Sequence, residues 1–212
     1  MGLYRAGFDV TGVDIKVQPR YPFAFIQADA MTFPLEGYDF IWASPPCQGY
    51  SRLRHLPWLK GRKWPMLIDV MRDRLTASGA VWCIENVEDA PLRGIVLCGL
   101  MFELPVYRHR LFETSYLILP PMHKPHSIVI GHGRMVNDRR KGSLNNSSAK
   151  GAWGKQQIVT VAGGQFRKAD GERALGIDWM RKDELAQAIP PAYAEFIVKQ
   201  FLGGNHGIEN FH

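Results

Sequence analysis

The stretch Phe40–Gln48, FIWASPPCQ, joins a short apolar run to a rigid turn that carries a cysteine. Apolar runs of this length, bounded by turn residues, are typical of buried strands. Similar runs lie before and after it, at Val10–Ile15, Phe23–Gln27, Ala80–Ile84, Ile95–Cys98 and Leu111–Thr114. Met66–Ala77 has apolar residues at helical spacing, and Ser78-Gly79 follows as a stop signal. Strands that alternate with helices predict an α/β fold, with a mostly parallel sheet covered by helices on both faces.

The second half of the chain has a different character. Residues 123–168 contain nine Lys and Arg but only one acid, Asp138. This basic segment is either a solvated loop or a surface for an anionic partner. A β-like run lies at Ile158–Ala162, and helices are predicted at Arg181–Ala188 and at Ala192–Leu202, where Pro190-Pro191 suits a helix start.

Composition excludes several classes of protein. The 212 residues are 46% hydrophobic and 22% charged, which argues against a disordered chain. No apolar run is long enough for a membrane span and no signal peptide is recognisable, so we expect a cytoplasmic protein without a membrane partner. The three cysteines form no CxxC pair, which excludes a zinc ribbon, and no metal is expected. A net charge of +6 weakly favours nucleic acid as a partner.

Polar residues follow the predicted strands, where α/β sheets bind their ligands. They are Asp14, Asp29, Ser44–Gln48 and Glu85–Val87. Each alone has an ordinary explanation, since an Asp often caps a helix and a lone Cys is more often a small buried hydrophobe. Their order along the chain is more specific than any one of them.

In that order, six segments resemble motifs of the DNA cytosine-5 methyltransferase family, in the compact form carried by bacteriophages. These segments are Arg5–Ile15, Gln27–Ala30, Ser44–Gln48 with Ser51, Glu85–Val87, Arg108–Arg110 and Gln187–Pro191. The resemblance covers residues 1–116 and 171–202. It implies a Rossmann-like methyltransferase sheet, S-adenosylmethionine as cofactor, and double-stranded DNA as partner of a monomeric enzyme.

The resemblance also implies residue roles. Cys47 would be the nucleophile, Glu85 would act at the base, Arg110 would hold its exocyclic oxygen, and Arg108 would position the glutamate or a phosphate. Cofactor contacts are expected from Asp14, Ile15, Asp29, Ala30, Pro45, Gln187 and Ile189. DNA contacts are expected from Gln48, Ser51, Arg52, Arg54, Arg139, Arg140 and Lys141.

The chemistry of cytosine methylation explains this set of residue types. Carbon 5 of cytosine becomes nucleophilic only after a thiolate adds at carbon 6, and Cys combines nucleophilicity with easy departure. A protonated carboxyl in a dry pocket can donate to the ring nitrogen as negative charge builds there. Because only the protonated form donates, we expect Glu85 to have a raised pKa. Cys83 and Cys98 lie in apolar strands and are interpreted as structural.

The target base must also leave the DNA duplex to reach such a pocket. The basic loop 49–65, which carries Trp58 and Trp64, either fills the space that the flipped base leaves in the DNA or packs on the protein.

Three segments are predicted: a catalytic core at 1–113, a target-recognition insert at 114–170 and C-terminal helices at 171–212 that return to the core. The family's first strand and its Gly-rich turn are not recognisable, and Gly7 is interpreted as a helix C-cap. Weak cofactor binding by this chain is therefore expected.

Val106 and Gln187 stand where the family has Gln and Asn. Two alternatives remain: an amino-methyltransferase, which Cys47 after the double proline disfavours, and a catalytically silent DNA-binding module.

Overall fold

A computed structural model describes residues 1–123, 126, 129–130, 158–163 and 166–205, in which strands and helices are mixed. The chain divides into two compact units, each assembled from three separate segments. Unit 1 comprises Met1–Asp9, Cys98–Arg108 and Pro121–Lys199, and unit 2 comprises Val10–Leu97, His109–Pro120 and Gln200–His212. The chain therefore leaves each unit and returns to it, and the three consecutive segments predicted from sequence stay a prediction.

The residues of unit 2 that the structure describes include six strands and one long helix. The strands are β1 Thr11–Asp14, β2 Ala24–Gln27, β3 Phe40–Ala43, β4 Val81–Asn86, β5 Ile95–Leu97 and β6 Arg110–Thr114. β1 and β2 pair in parallel, while the other four form one sheet in the order β3-β4-β6-β5. Helix α2, Ile68–Ser78, ends at Gly79, whose φ of 70° is the left-handed conformation that favours glycine. The α/β class predicted from sequence is confirmed.

The expectation of a mostly parallel sheet is wrong. β3 and β4 are parallel, but β6 runs antiparallel to both β4 and β5. A parallel return needs a crossover connection, usually a helix. The linker 98–109 between β5 and β6 contains only the short 3₁₀ helix Gly99–Phe102, so the chain comes back in the opposite direction. Apolar runs mark where strands lie and carry no information about their direction.

The core of unit 2 lies between α2 and the four-stranded sheet. Ile68, Met71 and Leu75 form one face of the helix and pack with Trp82 and Ile84 of β4. Leu75 is fully buried, so its truncation to alanine should cost about 2–5 kcal/mol.

An ion pair closes one side of this core. Arg72 of α2 donates from Nε and Nη2 to the two carboxylate oxygens of Glu113, at 2.7 and 2.9 Å. Burial acts to raise the pKa of Glu113, but bonds from Arg72 and from the Arg93 backbone outweigh it and lower that pKa.

The β1–β2 pair is more exposed to solvent than the four-stranded sheet. Ile15, directly after β1, is 64% exposed and Ile26 in β2 is 40% exposed. Two-stranded sheets have little independent stability in water. This pair therefore depends on its neighbours rather than on a core of its own.

The described part of unit 1 is mainly helical. Its helices are α1 Gly2–Arg5, α3 Lys168–Leu175, α4 Lys182–Leu185 and the part of α5, Pro191–Asn205, that reaches Lys199. Two short strands, β7 Val129–Ile130 and β8 Ile158–Val159, pair in parallel. α1 approaches α5 closely, since a Cβ on Gly2 would lie 2.3 Å from the Pro191 carbonyl oxygen. Gly7, with φ of 99°, follows α1 as predicted.

The core of unit 1 is formed by Val106, Val161, Phe166, Ala174, Leu175, Ile177 and Leu185. Among the helices that the structure describes, none has both the length and the apolar character needed to cross a bilayer.

Candidate active site

Two predicted catalytic segments meet at one edge of the four-stranded sheet. β3 and β4 are parallel neighbours with Ala43 opposite Ile84, so the residues after Ala43 lie beside Glu85 and Asn86. The Asn86 side chain, 1% exposed, donates from Nδ2 to the Pro45 carbonyl oxygen at 2.8 Å. It thereby fixes the loop that carries Cys47 to the end of the adjacent strand.

The cysteine loop is a tight turn. The Cys47 carbonyl oxygen accepts from the backbone N–H groups of Tyr50 and Ser51 at 3.0 and 2.9 Å. Tyr50 is 4% exposed, and its hydroxyl accepts from the backbone N–H of Ile68 at the start of α2. Cys47 itself is half-buried and has a free thiol. The turn is therefore anchored on both sides while the thiol keeps some access to solvent.

Glu85 and Arg110 form an ion pair at the same edge. Arg110 Nε lies 3.1 Å from Glu85 Oε1, with side-chain exposures of 19% and 11%. A charge-assisted hydrogen bond of this kind holds both groups in place. The structure thus joins two predicted site residues that the sequence placed 25 positions apart.

The other two cysteines are buried. Cys83 is fully buried in β4, and burial first, then the charges of Glu85 and Glu113, raise the pKa of its thiol well above the usual value. A thiol in such surroundings is a poor nucleophile. Cys98 is also fully buried. Cys47 is the cysteine with the most suitable surroundings for nucleophilic chemistry.

Arg108 belongs to unit 1 and has partners that the sequence did not predict. Its guanidinium donates to the carbonyl oxygens of Val161 and Ala186, the latter at 3.0 Å. Its own carbonyl oxygen accepts from the Tyr193 hydroxyl at 2.7 Å. Arg108 is 4% exposed, so these contacts give it a structural role in unit 1. The predicted role toward glutamate or phosphate stays a prediction.

The predicted cofactor acids lie at the carboxyl edge of the β1–β2 pair. The Ala28 N–H donates to the Asp14 carbonyl oxygen at 3.1 Å, which holds the two strand ends together. Asp14 accepts from the Lys16 backbone N–H and from the Gln18 side chain, and Asp29 accepts from the Met31 backbone N–H. Each carboxylate oxygen has a further lone pair for a ligand. Ile15 is exposed beside Asp14, and Ala30 is exposed beside Asp29.

Two further cofactor candidates lie in unit 1. Gln187 is exposed and lines a shallow groove of about 550 Å³ with Gly163, Lys182, Asp183 and Ala186. Ile189 is half-buried just before α5. Both stay predictions as cofactor contacts.

The loop after the cysteine presents basic and aromatic side chains to solvent. Gln48, Arg52 and Arg54 are exposed and Ser51 is half-buried. Arg52 pairs with Asp89 at 2.8 Å, and Arg54 donates to the Gly49 carbonyl oxygen at 2.7 Å. Trp58 is 73% exposed, so packing on the protein does not account for this side chain, and its predicted role at the DNA stays a prediction. Arg139, Arg140 and Lys141 lie outside the described residues.

Sequence reasoning missed two features. Asn86 had no assigned role, although its position directly after Glu85 in a strand end is a usable signal. A contact of Cys98 with His126, which in turn contacts His123, was also missed, and the His-x-x-His spacing of the two histidines was its trace in the sequence.

No protein-family model, curated protein or solved structure matches this chain. Function is therefore inferred from the chemistry of the residues that meet at the two strand edges.

Proposed function

We propose that the protein is a DNA methyltransferase that transfers a methyl group from S-adenosylmethionine to carbon 5 of a flipped cytosine through a covalent Cys47 adduct. One observation carries the proposal. A half-buried free thiol after β3 is tied through Pro45 and Asn86 to the strand that bears Glu85, with Arg110 against that glutamate. Nucleophile, carboxyl and cation on adjacent strand ends are the groups that this reaction requires.

Cys47 would act first. Its thiolate adds to carbon 6 of the pyrimidine, and the electron pair of the 5,6 double bond moves toward the ring nitrogen and the exocyclic oxygen. Glu85 in its protonated form would donate its proton to the ring nitrogen, and Arg110 would donate to the exocyclic oxygen, since negative charge develops at both. Carbon 5 of the resulting enamine would then take the methyl group that the bound cofactor supplies from its sulfonium sulfur. Loss of the proton at carbon 5 and departure of the Cys47 thiolate would then restore the 5,6 double bond.

The β1–β2 edge fits a nucleoside. Two carboxylates with spare lone pairs suit hydroxyl and amine donors, and the exposed Ile15 side chain suits an aromatic ring. Asp14 would hold the ribose of S-adenosylmethionine and Asp29 its adenine. The cofactor supplies the methyl group from its sulfonium centre when bound.

Covalent trapping tests the proposal. Duplex DNA in which every cytosine is replaced by 5-fluorocytosine should become irreversibly attached to the protein in the presence of S-adenosylmethionine, because fluorine cannot leave as a cation. Cys47→Ser should abolish trapping, and the matched control Cys83→Ala should retain it. Trapping that persists in Cys47→Ser would overturn the assignment of the nucleophile.

DNA binding is measured in parallel by mobility shift. The exposed Trp58 and the exposed cations Arg62 and Lys63 should contribute. Arg62→Glu with Lys63→Glu should lower the slope of log affinity against log salt by about 1–2, since each phosphate contact contributes about 0.9. Binding without trapping by the wild type would favour the silent DNA-binding alternative. Absence of both would overturn the proposal.

A further inference from the structure

Three potential metal ligands of unit 1 converge on one point. Cys98 Sγ lies 3.2 Å from His126 Nε2, and His126 Nε2 lies 3.0 Å from His123 Nε2. The three ligand atoms all lie within 4.8 Å of one another. The Tyr107 ring stands edge-on against His126, with 4.7 Å between centroids, and so fixes the plane of that imidazole.

Hydrogen bonding alone explains this arrangement poorly. Both short contacts end on the same atom, His126 Nε2. A neutral imidazole nitrogen has either one proton or one lone pair, so it makes one good hydrogen bond at a time. A cation between the three ligand atoms would satisfy all of them at once.

Two of the three separations are close to those of a tetrahedral zinc site, and the third is at most 4.8 Å. With Zn–N distances of about 2.0–2.1 Å and a Zn–S distance of about 2.3 Å, neighbouring ligand atoms are about 3.3–3.6 Å apart. The two measured separations, 3.2 and 3.0 Å, are within about 0.4 Å of those edges. The ligand atoms would need to move apart by about 0.3–0.4 Å to hold the ion at these bond lengths.

We infer that unit 1 binds a zinc ion through Cys98, His123 and His126. One thiolate and two imidazoles form the mixed sulfur and nitrogen set that zinc prefers among common divalent cations. Burial decreases from the fully buried Cys98, through the half-buried His126, to the exposed His123, which gives the ion a path from solvent. A water molecule or another donor completes the fourth position.

The ion would cross-link two distant parts of the chain. Cys98 precedes the 3₁₀ helix Gly99–Phe102, and the histidines lie about 25 residues later, shortly before β7. Such a link would hold the entry to the basic segment, which is the proposed DNA-recognition insert. The inference concerns metal binding alone and stands independently of the methyltransferase proposal.

The experiment measures zinc content and cobalt spectra of the full chain. After incubation with Zn²⁺ and desalting, the wild type should retain about one zinc per chain, as for a three-ligand protein site. With Co²⁺ it should show a near-ultraviolet thiolate-to-metal charge-transfer band. Cys98→Ser should lose that band, and His123→Asn should weaken zinc binding by at least about a hundredfold.

Matched controls separate this site from other ligands. Cys47→Ser should keep the charge-transfer band, and His55→Asn should keep the affinity for zinc. His123 is exposed, so its variant should fold even if Cys98→Ser does not. A wild type that retains no zinc at micromolar concentrations, or equal zinc affinity in wild type and His123→Asn, would overturn the inference.

Discussion

Asn86 is the residue whose removal should most directly loosen the cysteine loop. Its Nδ2 donates to the Pro45 carbonyl oxygen at 2.8 Å, and its Oδ1 accepts from the Val87 N–H at 3.0 Å. Asn86→Ala leaves both groups without these partners. Leaving the buried Pro45 carbonyl without its donor should cost about 1–3 kcal/mol of stability. Leaving the N–H of the half-buried Val87 without its acceptor should cost about 1 kcal/mol. We expect a loss of about 3 kcal/mol in the free energy of unfolding.

Urea denaturation followed by circular dichroism measures this loss. Asn86→Asp is the informative companion, because its carboxylate can still accept from the Val87 N–H but turns an oxygen toward the Pro45 carbonyl. It should lose at least as much stability as the alanine variant. Surface substitutions usually change stability by less than about 0.5 kcal/mol, so only a larger loss counts as support for the buried hydrogen bonds of Asn86.

The same variant has a functional consequence under the proposed mechanism. A shift of about 1 Å in the cysteine loop should slow trapping by 5-fluorocytosine DNA about a hundredfold. Stability losses below about 0.5 kcal/mol in both Asn86 variants would refute the structural argument. A destabilised variant that traps DNA at the wild-type rate would instead show that the contact does not position Cys47.

Three further predictions address other parts of the molecule. Glu113→Gln should destabilise by about 1.5–3 kcal/mol, because it removes the buried carboxylate that accepts from Arg72 and leaves that half-buried arginine only its exposed partner Asp69, while Asp69→Asn should change little. Because folding lowers the pKa of Glu113, its carboxylate stabilises the fold above the pKa of the unfolded state, and this stabilisation is lost as pH falls through the pKa of the folded state. The stability difference between wild type and Glu113→Gln, measured by urea denaturation, should therefore shrink in acid. Gly94→Ala should cost about 3 kcal/mol or more in the same assay, since its Cβ would lie 1.8 Å from a backbone carbonyl of β6, whereas Gly203→Ala has open space. Asp14→Asn should weaken S-adenosylmethionine binding in calorimetry at least about tenfold, and an unchanged affinity would remove this residue from the cofactor site.

The strands were predictable because a buried strand needs a continuous apolar run. β3 matches its predicted bounds, and the five other strands of unit 2 lie within one or two residues of theirs. Helix α2 was predictable from its apolar spacing and from Gly79. The division into two units was not, because it depends on contacts between distant segments that local patterns do not record.

The candidate site was predictable in part. Residues at or shortly after the ends of strands, such as Asp14 and Cys47, can be placed at sheet edges from sequence alone. The hydrogen bond between Asn86 and Pro45 could not, since it depends on which strands are neighbours. Arg108 and Arg110 resemble one motif, yet their described contacts lie in different units. Two residues of separation in sequence do not require a shared environment.

The one error about the sheet bears directly on the site. In an antiparallel pair, the first residues of one strand lie beside the last residues of the other. Leu111 is opposite Asn86 and Phe112 is opposite Glu85, so Arg110 begins β6 at the carboxyl end of β4. A parallel β6 would place Thr114 there and carry Arg110 to the far end of the sheet. The antiparallel direction of β6 therefore brings a guanidinium to the edge of the sheet where Glu85 lies and where the cysteine loop is anchored.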